Sequence, residues 1–164
     1  MRNIFDALLE RSELSAFRAV VKVAGMESVL SGDQPLTIFA PHDAAFKRFP
    51  EACFDWFLGS PETLARLLAH HMFSGAVLGG ELCALRKART LDGSDLLIAG
   101  RSCVRVEGVR ILRRDIVCAN GVIHVVERVL MPPSLLRYAP LQPMITSYNG
   151  SHGTSRLAHP SQNP

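Results

Sequence analysis

The stretch Asn120-Gly121-Val122-Ile123-His124-Val125-Val126-Glu127-Arg128-Val129-Leu130-Met131-Pro132 decides the fold. Asn-Gly is a strong signal for a tight turn between strands. Beyond it, Val122, His124 and Val126 share one strand face, while Ile123 and Val125 share the other. Working back toward the N-terminus, short β runs recur at 89–91, 96–99, 103–106, 109–112 and 116–118, punctuated by turn residues such as Asp92-Gly93 and Gly108. The part of the chain after residue 87 is therefore expected to be strands.

The N-terminal part reads differently. Ile4, Phe5, Leu8 and Leu9, then Leu14, Phe17, Val20, Val21 and Ala24, recur at spacings of three and four, with Gly25 as a stop. A loop over 31–35 leads into a short apolar strand at 36–40, closed by Pro41, and Asp43 is placed to cap the helix that carries Ala45, Phe46 and Phe49. Ser60-Pro61-Glu62 combines a hydroxyl cap, a proline at the first helical position and an acid in the first turn. The helix it predicts has the stripe Leu64, Leu67, Leu68, His71 and Met72 and ends near Gly75. On it His71 faces the interior, and His70 points about 100° away, toward solvent. Helices first and strands later predict an α+β domain with a mainly antiparallel sheet.

The chain has 164 residues, 48% hydrophobic by the wide count and 20% charged, which is the profile of one ordinary soluble domain. At this length about two-thirds of the unfolded surface can be buried, enough for a core without metals or disulfides. The longest charge-free stretches are short or carry polar and proline residues, so none offers the roughly 20 apolar residues of a membrane span. Asp6 and Glu10 interrupt the N-terminal apolar run, so no signal peptide is visible in the given chain. Arginine outnumbers lysine 15 to 3, which is compatible with a bacterial source.

Cys53, Cys83, Cys103 and Cys118 form no C-x-x-C pair, so zinc and dithiol chemistry have no support. Four separate thiols, or any of three pairings in an oxidising compartment, fit the spacing. The formal charge of +3 is uneven: residues 86–114 hold Arg86, Lys87, Arg89, Arg101, Arg105, Arg110, Arg113 and Arg114, opposed by Asp92, Asp95 and Glu107. This strip is either solvated surface or a patch for an acidic partner, and strand alternation is expected to divide it between two faces. It contains no aromatic residue, so nucleic acid is not an expected partner. After Leu130 come Pro132, Pro133, Pro140 and Pro143 and a polar tail with an Asn149-Gly150-Ser151 acceptor triplet. The domain is expected to span 1–133, with a disordered tail over 134–164.

Three segments in fixed order resemble the fasciclin-like domain family. They are Thr37-Ile38-Phe39-Ala40-Pro41-His42-Asp43-Ala44-Ala45-Phe46, then Leu67-Leu68-Ala69-His70-His71, then the closing stretch quoted first, which matches almost residue for residue. Thr90-Leu91-Asp92-Gly93 also fits the family's middle hairpin. The resemblance covers about residues 3–132 and implies a β-wedge with helices packed on it, in a single-domain, monomeric member. His70 stands where the family usually has tyrosine, and His42 where it usually has a small polar residue.

The resemblance also implies a noncatalytic interaction module for cell-surface adhesion, or for binding matrix, polysaccharide or protein partners, outside the cell or in the periplasm. Asp115-Ile116 resembles the Asp-Ile of an adhesion motif in some animal relatives, and an exposed carboxylate can complete a receptor's metal sphere. Asp115, Ile116, Arg113, Arg114, His70 and His71 are the candidate partner-binding residues; the alternative places Asp115 at the end of a turn and Ile116 at the start of a core-facing strand. No cofactor and no metal is expected, because neighbouring histidines on a helix diverge while metal ligands want spacings of three or four. Two rivals stand beside this reading. One is a carrier of an apolar small ligand, carotenoid or lipid, drawing on Phe5, Phe17, Phe54, Trp56, Phe57 and Phe73. The other is an auxiliary enzyme using His42, His70 and His71, although the sequence holds no nucleophile elbow, phosphate loop or dinucleotide fingerprint.

Overall fold

Two strands that are apolar on both faces pair at the centre of one sheet. β1 (Leu36–Pro41) and β7 (Gly121–Val126) are buried along their whole lengths and run parallel, Leu36 opposite Gly121 and Pro41 opposite Val126. Strands covered on both sides need no polar alternation, which is why both read as nearly continuous apolar runs. β2 (Met72–Ser74) adds antiparallel to the outer side of β1, and β6 (Val109–Cys118) to the outer side of β7. β5 (Arg105–Val106), β4 (Asp95–Ala99) and β3 (Lys87–Arg89) follow, giving the order β2-β1-β7-β6-β5-β4-β3. Among the described residues only the β1–β7 pair is parallel, so the sheet is mainly antiparallel. The structure is a computed structural model and describes residues 1–137; most of the expected tail and the Asn149-Gly150-Ser151 triplet lie outside the described residues.

The two faces of the central strands feed two cores. Ile38, Ala40, Ile123 and Val125 pack with the helices α1 (Ile4–Leu9), α2 (Ser15–Val23), α3 (Glu27–Ser31), α4 (Asp43–Arg48), α5 (Glu51–Leu58) and α6 (Pro61–Ala69). Phe39 and Val126 point the other way and pack with Phe73, Leu96, Ile98, Val104, Val106, Val109 and Leu82 of α7 (Gly79–Leu85). The alternation read from the sequence thus selects which core each residue enters. A 3-10 turn at Pro133–Leu135 returns Leu135 to the first core, fully buried, so packing continues beyond Pro132.

Four local expectations change. Asp43 does not cap its own helix: its carboxylate accepts from Ser15 Oγ at 2.6 Å and from Ala16 N at 2.8 Å, at the start of α2, while His42 Nδ1 accepts from Ala45 N and caps α4. The acid therefore joins two helices. α6 ends at Ala69 rather than near Gly75, because Met72–Ser74 pairs with β1 and pulls the chain into the sheet. The runs at 109–112 and 116–118 are one strand, β6, in which the five steps from Ile111 to Ile116 face the three from Val126 to Ile123. Two extra residues are absorbed as bulges, and Asp115 sits there at φ 63°. Finally, α3, α5 and α7 lie where no helix is expected from the sequence; each is short, and tertiary packing supplies most of the stability of such helices.

The Asn120-Gly121 turn holds these parts together. Asn120 Oδ1 accepts from Ile4 N at 2.8 Å, and Nδ2 donates to Leu30 O at 2.9 Å and Gly32 O at 2.7 Å. Gly121 has φ 155°, and a Cβ there would collide with the Leu36 carbonyl oxygen. Removing the amide strands buried backbone groups at three places. Asn120→Ala is expected to lower stability by about 2–4 kcal/mol, read by urea unfolding; a loss within experimental error of zero would show that these bonds are replaceable by water.

Candidate functional site

The histidines that invited a catalytic reading are built into the interior as connectors. His71 follows α6; its Nδ1–H donates to Leu67 O at 2.8 Å, and its Nε2 accepts from Leu130 N at 2.9 Å. Both partners are backbone groups, so the tautomer is set and the ring is neutral. His124 in β7 works in the opposite sense: Nδ1 accepts from Asp115 N at 3.2 Å, and Nε2–H donates to Val77 O at 2.9 Å. Its ring also stacks on Phe39, with centroids 5.8 Å apart. Burial pushes His71 down to about 3, and burial likewise lowers His124.

His70 is the main correction. It was expected to be exposed, but it is only 1% accessible, because the chain bends after Ala69 and the β3–β4 hairpin closes over it. Nδ1–H donates to Ser94 Oγ at 2.8 Å, with Asp92 Oδ1 at 3.3 Å. That carboxylate oxygen also accepts from Thr90 Oγ1, from Ser94 Oγ at 2.7 Å and from Ser94 N at 3.3 Å. Burial lowers His70 and outweighs the opposing pull of Asp92; burial of Asp92 acts to raise it, but the hydrogen bonds from Thr90, Ser94 and His70 prevail and hold it low. The result is a neutral imidazole against an ionised carboxylate, linking the end of α6 to the hairpin. The Thr-Leu-Asp-Gly segment signalled a turn, but not that its acid would receive His70.

Asp115 is the exposed end of a second network. Its Oδ1 accepts from Gly79 N at 2.6 Å at the start of α7, and its own N–H is held by His124. Thr37 Oγ1 donates to Gly75 O at 2.6 Å and accepts from Val77 N at 2.9 Å, fixing the loop before α7. The threonine that leads the first signature thus has a side-chain role that its strand position did not reveal. Ile116 is buried in the first core, as the alternative reading had it, but Asp115 lies within a strand rather than at a turn. Arg113 and Arg114 are exposed on β6. Arg113 lies 3.6 Å from Glu13, and the Arg114 stem lies over Gly79. The structure therefore brings Asp115, Arg113 and Arg114 to the surface and takes His70, His71 and Ile116 inside.

The strand part of the basic strip gathers mostly on one face, with Arg114 the exception over the start of α7. On β3 to β6, Ala88, Leu96, Ile98, Val106 and Val109 turn inward, and Lys87, Arg89, Arg105 and Arg110 all turn outward. Part of that charge is neutralised: Lys87 and Arg89 approach Asp95 at 3.7 and 3.4 Å, and Arg110 donates from Nε and Nη2 to the single oxygen Glu127 Oε1 at 3.3 and 3.1 Å. Among the described residues, Arg86, Arg101, Arg105 and Arg114 have no carboxylate within ion-pair distance. Also among the described residues, no cluster of three or more His, Cys, Asp or Glu is arranged to hold a metal, and no helix is long and apolar enough to cross a membrane.

A seven-stranded sheet with a parallel central pair, with helices packed on it, makes the chain an α+β wedge. The Fasciclin domain family model matches residues 12–132, and the chain belongs to that family. It is 29% identical over 131 residues to the uncharacterized protein sll1735 of Synechocystis, a match covering 80% of this chain and 98% of that protein. It is 30% identical over 134 residues to the pig transforming growth factor-beta-induced protein ig-h3, covering 80% of this chain but 20% of that longer protein. Among solved structures it superposes on a FAS1 domain pair from the insect cell adhesion molecule Fasciclin I with a TM-score of 0.68 at 17% identity, covering 81% of this chain and 52% of that one.

Histidines 70, 71 and 124 all protonate less readily in the folded chain than at the ordinary value of 6.5. The unfolded chain binds protons first, so stability is full above 6.5 and is lost as pH falls below it. The expected slope is up to about 1.4 kcal/mol per pH unit for each histidine that protonates on unfolding. Urea unfolding across a pH series checks it; a flat profile from neutral to mildly acidic pH would contradict the neutral buried rings.

Proposed function

We propose that the chain is a noncatalytic adhesion or binding module, working outside the cell or in the periplasm, whose partner is an acidic protein or polysaccharide. The observation that carries this reading is the set Arg86, Arg101, Arg105 and Arg114, which bear charge without a carboxylate partner around α7 and the outer strands. Arg114 lies over the start of α7, Arg86 follows its end, and Arg101 and Arg105 lie in and just after the β4–β5 turn. Arginine suits this task because its planar fork binds carboxylate and sulfate in bidentate fashion. Asp115 serves by position: its bond to Gly79 N and the His124 bond beneath it fix the bulge from which Arg113 and Arg114 project.

Membership in the Fasciclin domain family supports a binding role, and the structural neighbour is named as a cell adhesion molecule. Catalysis draws no support from the histidines, since His70 and His71 are buried and His42 spends Nδ1 on a helix cap. Carriage of an apolar ligand has a smaller basis than the sequence suggested: Phe17, Phe57 and Phe73 are core residues, leaving Phe5, Phe54 and Trp56 half-buried. One domain offers little area, so binding of this kind gains strength through multivalency.

The test is retention on a sulfated-polysaccharide resin and on an acidic protein surface. Arg101→Glu with Arg114→Glu is expected to weaken binding about tenfold, ~1.4 kcal/mol, and to flatten its salt dependence. Asp115→Ala with Arg113→Ala is expected to weaken it as well, by loosening the bulge. Unchanged retention in both double variants, with unchanged melting, would place the partner elsewhere.

A further inference from the structure

The strand order begins at β2 and ends at β3, and these two ends meet again. Phe73 of β2 forms a bridge with Thr90, the residue after β3, and Leu91 N donates to Met72 O at 2.9 Å. The sheet is thereby closed on itself. Every other junction between neighbouring strands holds at least two register pairs, whereas this seam holds one bridge. A buried polar cluster sits on the seam. His70 comes two residues before β2, and Thr90, Asp92 and Ser94 form the tip of the β3–β4 hairpin. The side chains of His70 and Asp92 are 2% and 5% exposed, and Thr90 is buried. Asp92 Oδ1 accepts from Thr90 Oγ1, Ser94 Oγ and Ser94 N, and His70 Nδ1–H reaches across the seam to Ser94 Oγ at 2.8 Å. Side-chain bonds thus reinforce the seam where ladder bonds are few.

Among the described residues His70 bonds through Nδ1 alone, so a proton added at Nε2 has no acceptor in the closed state. Burial lowers His70 and outweighs the pull of Asp92 from the hairpin and of Glu107 from the β5–β6 turn, both of which favour the charged ring. The ring of His71, with its centroid 6.5 Å from that of His70, is held neutral by Leu67 O and Leu130 N. Lifting the hairpin tip off β2 returns His70 to water and to the ordinary value of 6.5. The open seam therefore binds a proton more readily than the closed one, and acid favours opening. Asp92, held low by its hydrogen bonds, acts in the same sense only below its ordinary value of 3.8.

We propose that His70 is a proton-operated latch on the sheet: as the medium turns mildly acidic, the hairpin tip over Thr90, Asp92 and Ser94 leaves β2, while the β1–β7 pair and the two cores stay folded. His71 and His124 take no part in this step, because their partners Leu67, Leu130, Asp115 and Val77 lie away from the seam. Opening ends the closure of the sheet and leaves β2 and β3 as edge strands, which are templates for pairing with another chain. The latch is thus a local event that precedes the global loss of stability in acid.

Amide hydrogen exchange of the full chain, read by NMR from about pH 7 to about pH 5 and corrected for the intrinsic exchange rate, tests the latch. Protection of the Leu91 amide is expected to stay below that of the β7 amides throughout, and to fall by up to about tenfold per pH unit below 6.5, the slope of one proton. His70→Gln is expected to flatten the Leu91 profile and to leave a slope in β7, where His71 and His124 still protonate on global unfolding. Ser94→Ala, which removes the bond across the seam, is expected to lower Leu91 protection at neutral pH with the slope kept, and it carries the test should His70→Gln fold poorly. Leu91 protection equal to that of β7 at every pH, a flat Leu91 profile in the unsubstituted chain, a slope that survives His70→Gln, or Leu91 protection untouched by Ser94→Ala would each overturn the proposal.

Discussion

The structure depends on one junction, where the side chain of Asn120 meets the backbones of Ile4, Leu30 and Gly32 and the bare Cα of Gly121 lies against the Leu36 carbonyl. A parallel strand pair cannot be closed by a hairpin, and β1 and β7 are separated by about half of the chain. Something must hold their starting ends in register, and strand hydrogen bonds alone cannot also orient the helices. Asn120 does both, because an amide carries a donor group and an acceptor on one rigid plane. Gly121 adds the steric half: any side chain at that point would push β7 off β1, and with it the division of residues between the two cores.

The buried histidines extend the same device. A neutral imidazole has one donor and one acceptor on opposite sides of a flat apolar ring, so it can bridge two backbone segments inside a core. His71 joins the end of α6 to Leu130 after β7, and His124 joins the β6 bulge to the loop before α7. Each spans elements far apart in sequence. The cost is acid sensitivity, since a protonated ring has no acceptor left for Leu130 N or Asp115 N. His70 has taken a related role with a carboxylate partner, which lets a polar residue fill the position after α6 without access to solvent.

Much of the fold was legible because its signatures are local. The Asn-Gly turn, the capped Ser60-Pro61-Glu62 helix start, the alternation in β7 and the order of elements all follow from neighbours a few residues apart. What was not legible is long-range. The burial of His70 depends on a hairpin 22 residues further on, the redirection of Asp43 on a helix 27 residues earlier, and the fusion of two short runs into β6 on bulges that only the β7 register reveals. Helical spacing correctly turned His71 inward, but it assumed that the helix continued to Gly75; once Met72 joined β1, the angle between His70 and His71 no longer decided exposure. Of the candidate site, the exposed arginines of β6 were readable from charge and strand position, whereas the bond from Gly79 that fixes Asp115 was not.

Strand alternation, expected to scatter the basic strip, instead collects it. The inward positions of β3 to β6 are needed for the second core, so Lys87, Arg89, Arg105 and Arg110 are driven to the opposite face, while Arg114, at the β6 bulge, lies over the start of α7. Carboxylates on the same face then cancel Lys87, Arg89 and Arg110 and leave Arg86, Arg101, Arg105 and Arg114 as the surplus. The surface charge is thus a by-product of core packing that becomes directional only where pairing is incomplete. On the binding role proposed above, a rigid wedge would lose little side-chain and loop freedom on docking, since the strands that carry Arg105 and Arg114 are already ordered. That rigidity originates in the interior networks of Asn120, His71 and His124, so residues that never reach the surface fix the strands and loops from which these arginines project.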